Sequence, residues 1–237
     1  MDKINIALVG KITESYDSYI NVKESVLYAA AYLDIEISIT WVNSSKVNES
    51  NINKTFKSAN GMILLGGFGE TGTEGMVLAA QFARENDIPL LGICLGMQII
   101  TIEFARNVLG YKAATSEEFN KDTLYPVVRK IPSLKEGMRL GTYNVDIAKD
   151  SLAYKTYQQE EVEERFRHGY EFNLEYKEQY ISNGMCISGT LKDTGSVEII
   201  EMPNKKYFIG VQFHPEYRSD PLNPHPLFIG LLKALIK

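Results

Sequence analysis

Only two cysteines, Cys94 and Cys186, occur in the chain, and neither belongs to a Cys-x-x-Cys pair. That excludes a disulfide framework and a zinc-type site as organising features, and no metal or other cofactor is expected. No apolar run approaches the length needed to cross a bilayer, so no membrane partner is expected. The first ten residues, Met1 to Gly10, lack the basic head and long apolar middle of a secretion signal. They read as a strand, and a cytoplasmic location is expected. A basic surplus is missing too: the formal net charge is −5 and no Lys/Arg run offsets it. Nucleic acid is therefore not an expected partner. With neither an internal repeat nor a linker rich in Gly, Ser or Pro, a single domain over residues 1–237 is expected.

What is present is an alternation of short apolar runs and helical patterns. Ile4–Val9 reads as a strand, and Tyr19–Leu33 as a helix with Val22, Val26, Ala29, Ala30 and Leu33 on one face. Ile35–Val42 alternates as a half-exposed strand; Gly61–Leu65 is a buried one; Thr73–Glu85 is a helix, Ile88–Ile93 a strand and Leu95–Leu109 a helix. The second half is less regular, with strands predicted at Met138–Ile147, Cys186–Leu191, Val197–Glu201 and Tyr207–Phe213, and a last helix at Leu227–Ile236. The charged stretch Glu160–Arg167 reads as a solvated face. This pattern predicts an α/β fold: a mostly parallel central sheet with helices on both faces, plus a smaller antiparallel portion in the second half. Its site belongs at the C-terminal ends of the strands.

One such end carries Gly92-Ile93-Cys94-Leu95-Gly96-Met97-Gln98, a small-x-Cys-x-small turn between a strand and a helix. A nucleophile on so tight a turn needs small neighbours, and the helix N-terminus behind it favours thiolate over thiol. A lone cysteine is also often only a small core residue. A base and an orienting acid decide between the two. Of the three histidines, His168 sits in the charged stretch and His225 lies between two prolines. His214 directly follows the strand Tyr207–Phe213, with Glu216 two residues on across Pro215. The proline fixes the backbone between them, so Glu216 can hold the imidazole's orientation. Gly66-Gly67-Phe68-Gly69, after another strand, can offer main-chain N–H groups to a developing oxyanion. Gly67–Gly72 also spells Gly-x-Gly-x-x-Gly, with Asp87 20 residues beyond Gly67. In a dinucleotide site that acid should close the second strand, whereas Asp87 precedes the strand Ile88–Ile93. The acyl-transfer reading is the better one.

With these residues in place the chain resembles the class I (triad) glutamine amidotransferases, specifically the glutaminase domain of CTP synthases. The likeness runs from Ala7-Leu8-Val9-Gly10-Lys11 through Gly66–Gly69, Gly92–Gln98, Met138-Arg139-Leu140-Gly141, Tyr170-Glu171-Phe172-Asn173 and Gln212–Glu216 to His225-Pro226-Leu227-Phe228. It implies hydrolysis of glutamine through a thioester on Cys94, with His214 moving protons and Glu216 orienting it. It implies Gly67 and the N–H after Cys94 as oxyanion donors. Leu95, Gln98 and Glu118 are implied to bind substrate, Glu118 at its α-ammonium. The amidoligase part that precedes this domain in CTP synthase has no counterpart in these residues, so the resemblance implies that ammonia passes to a separate synthetase. Two positions depart from the family: Thr71 and Gly169 stand where it has arginines, the second of which binds the glutamine carboxylate. Arg165 or Arg167 could take that role. The sequence thus leaves open a stand-alone hydrolase of another γ-glutamyl amide and a non-catalytic regulatory paralogue.

Overall fold

Strands Ile6–Val9 and Met62–Leu65 are apolar at every position, and in a sheet successive side chains point to opposite faces. Such strands are stable only when both faces are covered. That is how they are used in the computed structural model, which describes residues 3–12, 19–134 and 137–236. Ile6, Leu8, Ile63 and Leu65 enter one core, and Ala7, Val9, Met62 and Leu64 the other.

In chain order the first half runs β1 (Ile4–Gly10), α1 (Ile20–Tyr32), β2 (Ile37–Asn43), α2 (Ile52–Thr55), β3 (Gly61–Leu64), α3 (Thr73–Glu85), β4 (Leu90–Ile93) and α4 (Leu95–Asn107). There follow β5 (Ala114–Ser116), β6 (Tyr125–Lys130), β7 (Arg139–Ile147), α5 (Leu152–Tyr157), β8 (Glu161–His168), β9 (Tyr170–Phe172), α6 (Lys177–Ser182), β10 (Cys186–Leu191), β11 (Val197–Glu201), β12 (Phe208–Val211) and α7 (Pro226–Lys233). The main sheet has nine strands in the order β2-β1-β3-β4-β12-β11-β10-β7-β8. Its first five are parallel and the rest join antiparallel. A second sheet, β5-β6-β9, lies apart. This is the predicted α/β architecture.

Helices α3 and α4 share one core with the small sheet; α1, α5 and α7 cover the other face. Helix α4 is buried at every position from Leu95 to Ala105, as a helix apolar on all sides must be. Its one buried acid, Glu103, is paired by Arg84 of α3, whose Nε and Nη2 lie 2.8–3.0 Å from the carboxylate.

One expectation is corrected. The stretch Glu160–Arg167 is not a solvated face but strand β8, paired along its length with β7. Val162, Glu164, Phe166 and His168 point inward, while Glu161, Glu163, Arg165 and Arg167 point out. Burial of Glu164 is made tolerable by Tyr157 Oη and His225 Nε2, which lie 2.7 and 2.8 Å from its Oε1. Predicted helix and strand ends otherwise differ from the observed ones by a few residues. Residues 1–2 and 237, the ends of the predicted single domain, lie outside the described residues.

Candidate active site

Register sets the site. Leu64 of β3 is level with Gly92 of β4, and Val211 of β12 is level with Ile93. Continuing each strand upward brings Gly66, Cys94 and Gln212 to one edge of the sheet, with His214 just beyond. The backbone N–H of Cys94 donates to Val211 O at 2.8 Å, which closes the edge.

Cys94 itself is strained, at φ 53° and ψ −104°, a conformation that costs about 1–3 kcal/mol for a residue with a Cβ. The strain is held because helix α4 starts at once and presses against β3. A Cβ at Gly96 would lie 2.3 Å from Leu64 O, so only glycine lets the helix approach this closely. Gly66 works likewise: a Cβ there would sit 3.2 Å from His214 Cε1 and 3.7 Å from Cys94 Cβ. The loop after β3 therefore packs directly on the cysteine and the imidazole. Cys94 is 2% exposed, and its carbonyl oxygen accepts the N–H groups of Met97 and Gln98.

His214 hangs from β8: its backbone N–H donates to Arg165 O at 2.8 Å. Its Nδ1 lies 2.7 Å from Glu216 Oε1, and Tyr217 stacks on the ring at 5.0 Å between centroids. Nε2 is buried without a hydrogen-bond partner among the described residues. Burial opposes the charged imidazolium, but Cys94 and then Glu216 outweigh it and raise the pKa from 6.5 to about 11. Cys94 thus bears on the imidazole from close by, although no hydrogen bond of normal geometry joins them.

The remaining predicted residues gather round this pair. A Cβ at Gly67 would meet Leu95 Cδ2 at 3.4 Å, so the Gly66–Gly69 loop and the start of α4 face each other. Glu118 Oε1 accepts the Gly69 N–H at 2.6 Å, which brings the carboxylate to the same loop. Gln98 is buried; its Nε2 donates to Tyr170 O at 3.2 Å and to Gln212 Oε1 at 3.3 Å. Arg167 places its guanidinium 5.6 Å from the Phe68 ring at the mouth. A Cβ at Gly169 would meet Gly137 O at 3.2 Å, the one close neighbour among the described residues.

Sequence reasoning gives no role to Lys11, which donates from Nζ to the carbonyl oxygens of Phe68 and Gly69 and lies 5.9 Å from the Phe119 ring. Burial lowers its pKa against the pull of Glu118 and Glu70. Gln212 has no predicted role either, although an amide in an apolar strand end, two residues before a candidate base, is a legible signal; it is fully buried. Asp87 lies at the opposite end of the sheet, before β4, where it accepts the Lys206 N–H. It cannot serve a nucleotide at the Gly67–Gly72 loop. Among the described residues, no group of three or more His, Cys, Asp or Glu side chains could hold a metal ion.

Known proteins share this fold and much of this sequence. The family model "Glutamine amidotransferase class-I" matches residues 14–234. CTP synthase from Caldanaerobacter subterraneus is 46% identical over 240 residues, covering 99% of this chain and 45% of its own. CTP synthase from Bacillus subtilis is 44% identical, again with 45% of its length covered. The chain therefore spans about half the length of the curated relatives it matches. The glutaminase domain of Trypanosoma brucei CTPS with bound acivicin superposes with a TM-score of 0.93 at 36% identity, covering 98% of this chain and 94% of that one. A glutamine amidotransferase from Thermotoga maritima shares the fold, with a TM-score of 0.56 at 15% identity, covering 100% of this chain and 97% of that one.

Proposed function

This chain belongs to the class I glutamine amidotransferase family, and from that premise we propose that it hydrolyses the side-chain amide of glutamine to glutamate and ammonia, the ammonia passing to a separate synthetase. The observation that carries the reading is the set Cys94–His214–Glu216 at one sheet edge. There the strained elbow cysteine and Glu216 together hold His214 charged near neutral pH.

The chemistry follows from that charge state. Cys94 Sγ attacks the amide carbon, and the carbonyl electrons move to an oxyanion facing the N–H groups of Gly67 and Leu95. Imidazolium His214 gives its proton to the departing nitrogen, the C–N bond breaks, and ammonia leaves a thioester. Neutral His214 then takes a proton from water as its oxygen attacks the thioester; the C–S bond breaks and glutamate departs. Glu216 keeps the imidazole oriented through both steps. Glu118, fixed by the Gly69 N–H, receives the substrate's α-ammonium, and Leu95 and Gln98 line its path.

The experiment is ammonia release from glutamine, with and without candidate synthetases, and with Cys94→Ala as control. Release that depends on Cys94 supports the reading; no release in either condition rejects it. A second reading, hydrolysis of another γ-glutamyl amide, is favoured by Gly169, which stands where the resemblance implies a carboxylate-binding arginine, and by the engagement of Lys11 with loop carbonyls. A panel of such amides separates the two, because the second reading requires turnover well above that of glutamine.

A further inference from the structure

Five polar contacts run in series through the interior behind Cys94. Arg139 Nη1 lies 3.5 Å from His168 Nε2, and His168 Nδ1 lies 2.8 Å from Tyr170 O. That carbonyl also accepts from Gln98 Nε2, which in turn donates to Gln212 Oε1. Gln212 Nε2 ends the series, 3.8 Å from Cys94 Sγ. Arg139, His168, Gln98 and Gln212 are all buried, Gln212 completely.

The carbonyl at the centre of the series fixes the two amides beyond it. A guanidinium only donates, so His168 Nε2 must accept and its proton must sit on Nδ1. The Tyr170 carbonyl only accepts, so it takes that proton and orients the Gln98 amide with nitrogen toward it. The second Gln98 hydrogen then requires Gln212 Oε1, and this turns Gln212 Nε2 toward the sulfur. Arg139 is itself anchored by Glu198 Oε1 at 3.0 Å and Glu171 Oε2 at 3.3 Å. Were the two amides reversed, an amide oxygen would face the sulfur and oppose a negative charge there.

We infer that the Tyr170 carbonyl fixes the polarity of this relay, by which Gln98 turns Gln212 to present an N–H to the reacting sulfur. The inference deepens the proposed function, because it rests on Cys94 being the nucleophile, and it extends the site to Gln212, a buried glutamine that the proposed chemistry does not use. It also assigns Gln98 a directional role. With both Nε2 hydrogens engaged by protein, its Oε1 is the atom left to receive an N–H of the substrate.

The test reads the sulfur rather than ammonia, so it stands or falls separately from the choice of substrate. In a Cys186→Ser background, iodoacetamide reports the thiolate fraction of Cys94 as a function of pH. Gln212→Leu removes the donor and Gln212→Glu puts a carboxylate in its place. Alkylation at pH 7 is expected to slow about tenfold in the first and further in the second, with the profile displaced to higher pH. Wild-type profiles in both variants, with wild-type melting, overturn the relay. Should either variant fail to fold, ¹⁵N NMR on the unaltered relay decides. The Gln212 side-chain NH₂ resonances must move when Cys94 is alkylated. Resonances indifferent to alkylation overturn the inference equally.

Discussion

His214 Nδ1 lies 2.7 Å from Glu216 Oε1, while the other oxygen of that carboxylate is buried with no hydrogen-bond partner among the described residues. The charge of Glu216 is thus committed to the imidazole. Glu216→Gln keeps the shape and removes the charge. We expect kcat for ammonia release to fall about 10³-fold, with a smaller change in KM, because the amide neither fixes the tautomer nor stabilises imidazolium. The same variant must lower the His214 titration midpoint, as must Cys94→Ala, since both groups raise the wild-type value to about 11. A raised pKa stabilises the folded protein fully below the unfolded value of about 6.5 and loses that contribution as pH climbs toward 11. ¹⁵N NMR of His214 checks this directly: the wild-type ring stays protonated through about pH 9.

His168 titrates in the other direction. Burial, aided by Arg139 and His214 and resisted by the Tyr170 carbonyl, brings it from 6.5 down to about 3. The unfolded chain therefore takes up this proton first as pH falls. Stability from this group is complete well above pH 6.5 and declines toward pH 3. Between pH 7.5 and 5 the loss is about 2 kcal/mol. His168→Asn can still donate to Tyr170 O but does not titrate, so urea unfolding of this variant should show a shallower decline over that interval. Equal declines in the two proteins contradict the assignment.

The first half of the fold and the Cys94 elbow were legible because single physical demands dominate them. Strands such as Gly61–Leu64 are apolar on both faces, and Gly92, Cys94 and Gly96 mark a turn that admits little else. Strand β8 was not legible, because Glu164 and His168 point inward and Glu163 and Arg165 point outward, so charge appears on both faces and the period of two is masked. Only the partners Tyr157 and His225, distant in sequence from one another, explain how Glu164 is buried. That Cys94, His214 and Glu216 meet at one sheet edge could be expected from strand ends and a proline. The relay through Gln98 and Gln212 could not, since it depends on which atom of each amide faces which neighbour.

Two glycines separate stability from chemistry. Gly96→Ala drives a Cβ to 2.3 Å from Leu64 O, a backbone atom that cannot move without shifting β3. A loss of about 3 kcal/mol in denaturant unfolding is expected, with activity falling through the folded fraction. Gly66→Ala brings its Cβ to 3.2 Å from His214 Cε1, a side-chain atom able to yield. Stability should change by less than about 1 kcal/mol, while kcat drops because the imidazole leaves its alignment with Cys94.

Gly169 stands where the resemblance implies an arginine for the glutamine carboxylate. Among the described residues a Cβ placed there meets Gly137 O at 3.2 Å, so a longer side chain enters once that neighbour gives by a few tenths of an ångström. Two cations beside the Gly66–Gly69 loop are engaged with protein: Lys11 donates to the Phe68 and Gly69 carbonyls, and Arg167 lies over the Phe68 ring. If glutamine is the substrate and its carboxylate lacks a partner, Gly169→Arg supplies one. A charge-assisted contact contributes about 1.5 kcal/mol or more, so KM for glutamine should fall about tenfold with kcat little changed. For a larger γ-glutamyl amide the new guanidinium fills space the substrate needs, and its kcat/KM should fall instead. Steady-state kinetics of the wild type and the variant on both substrates give opposite signs for the two readings. An unchanged KM for glutamine in the variant would show that Arg167 turns from the Phe68 ring to hold the carboxylate, an outcome that Arg167→Ala then tests by raising KM.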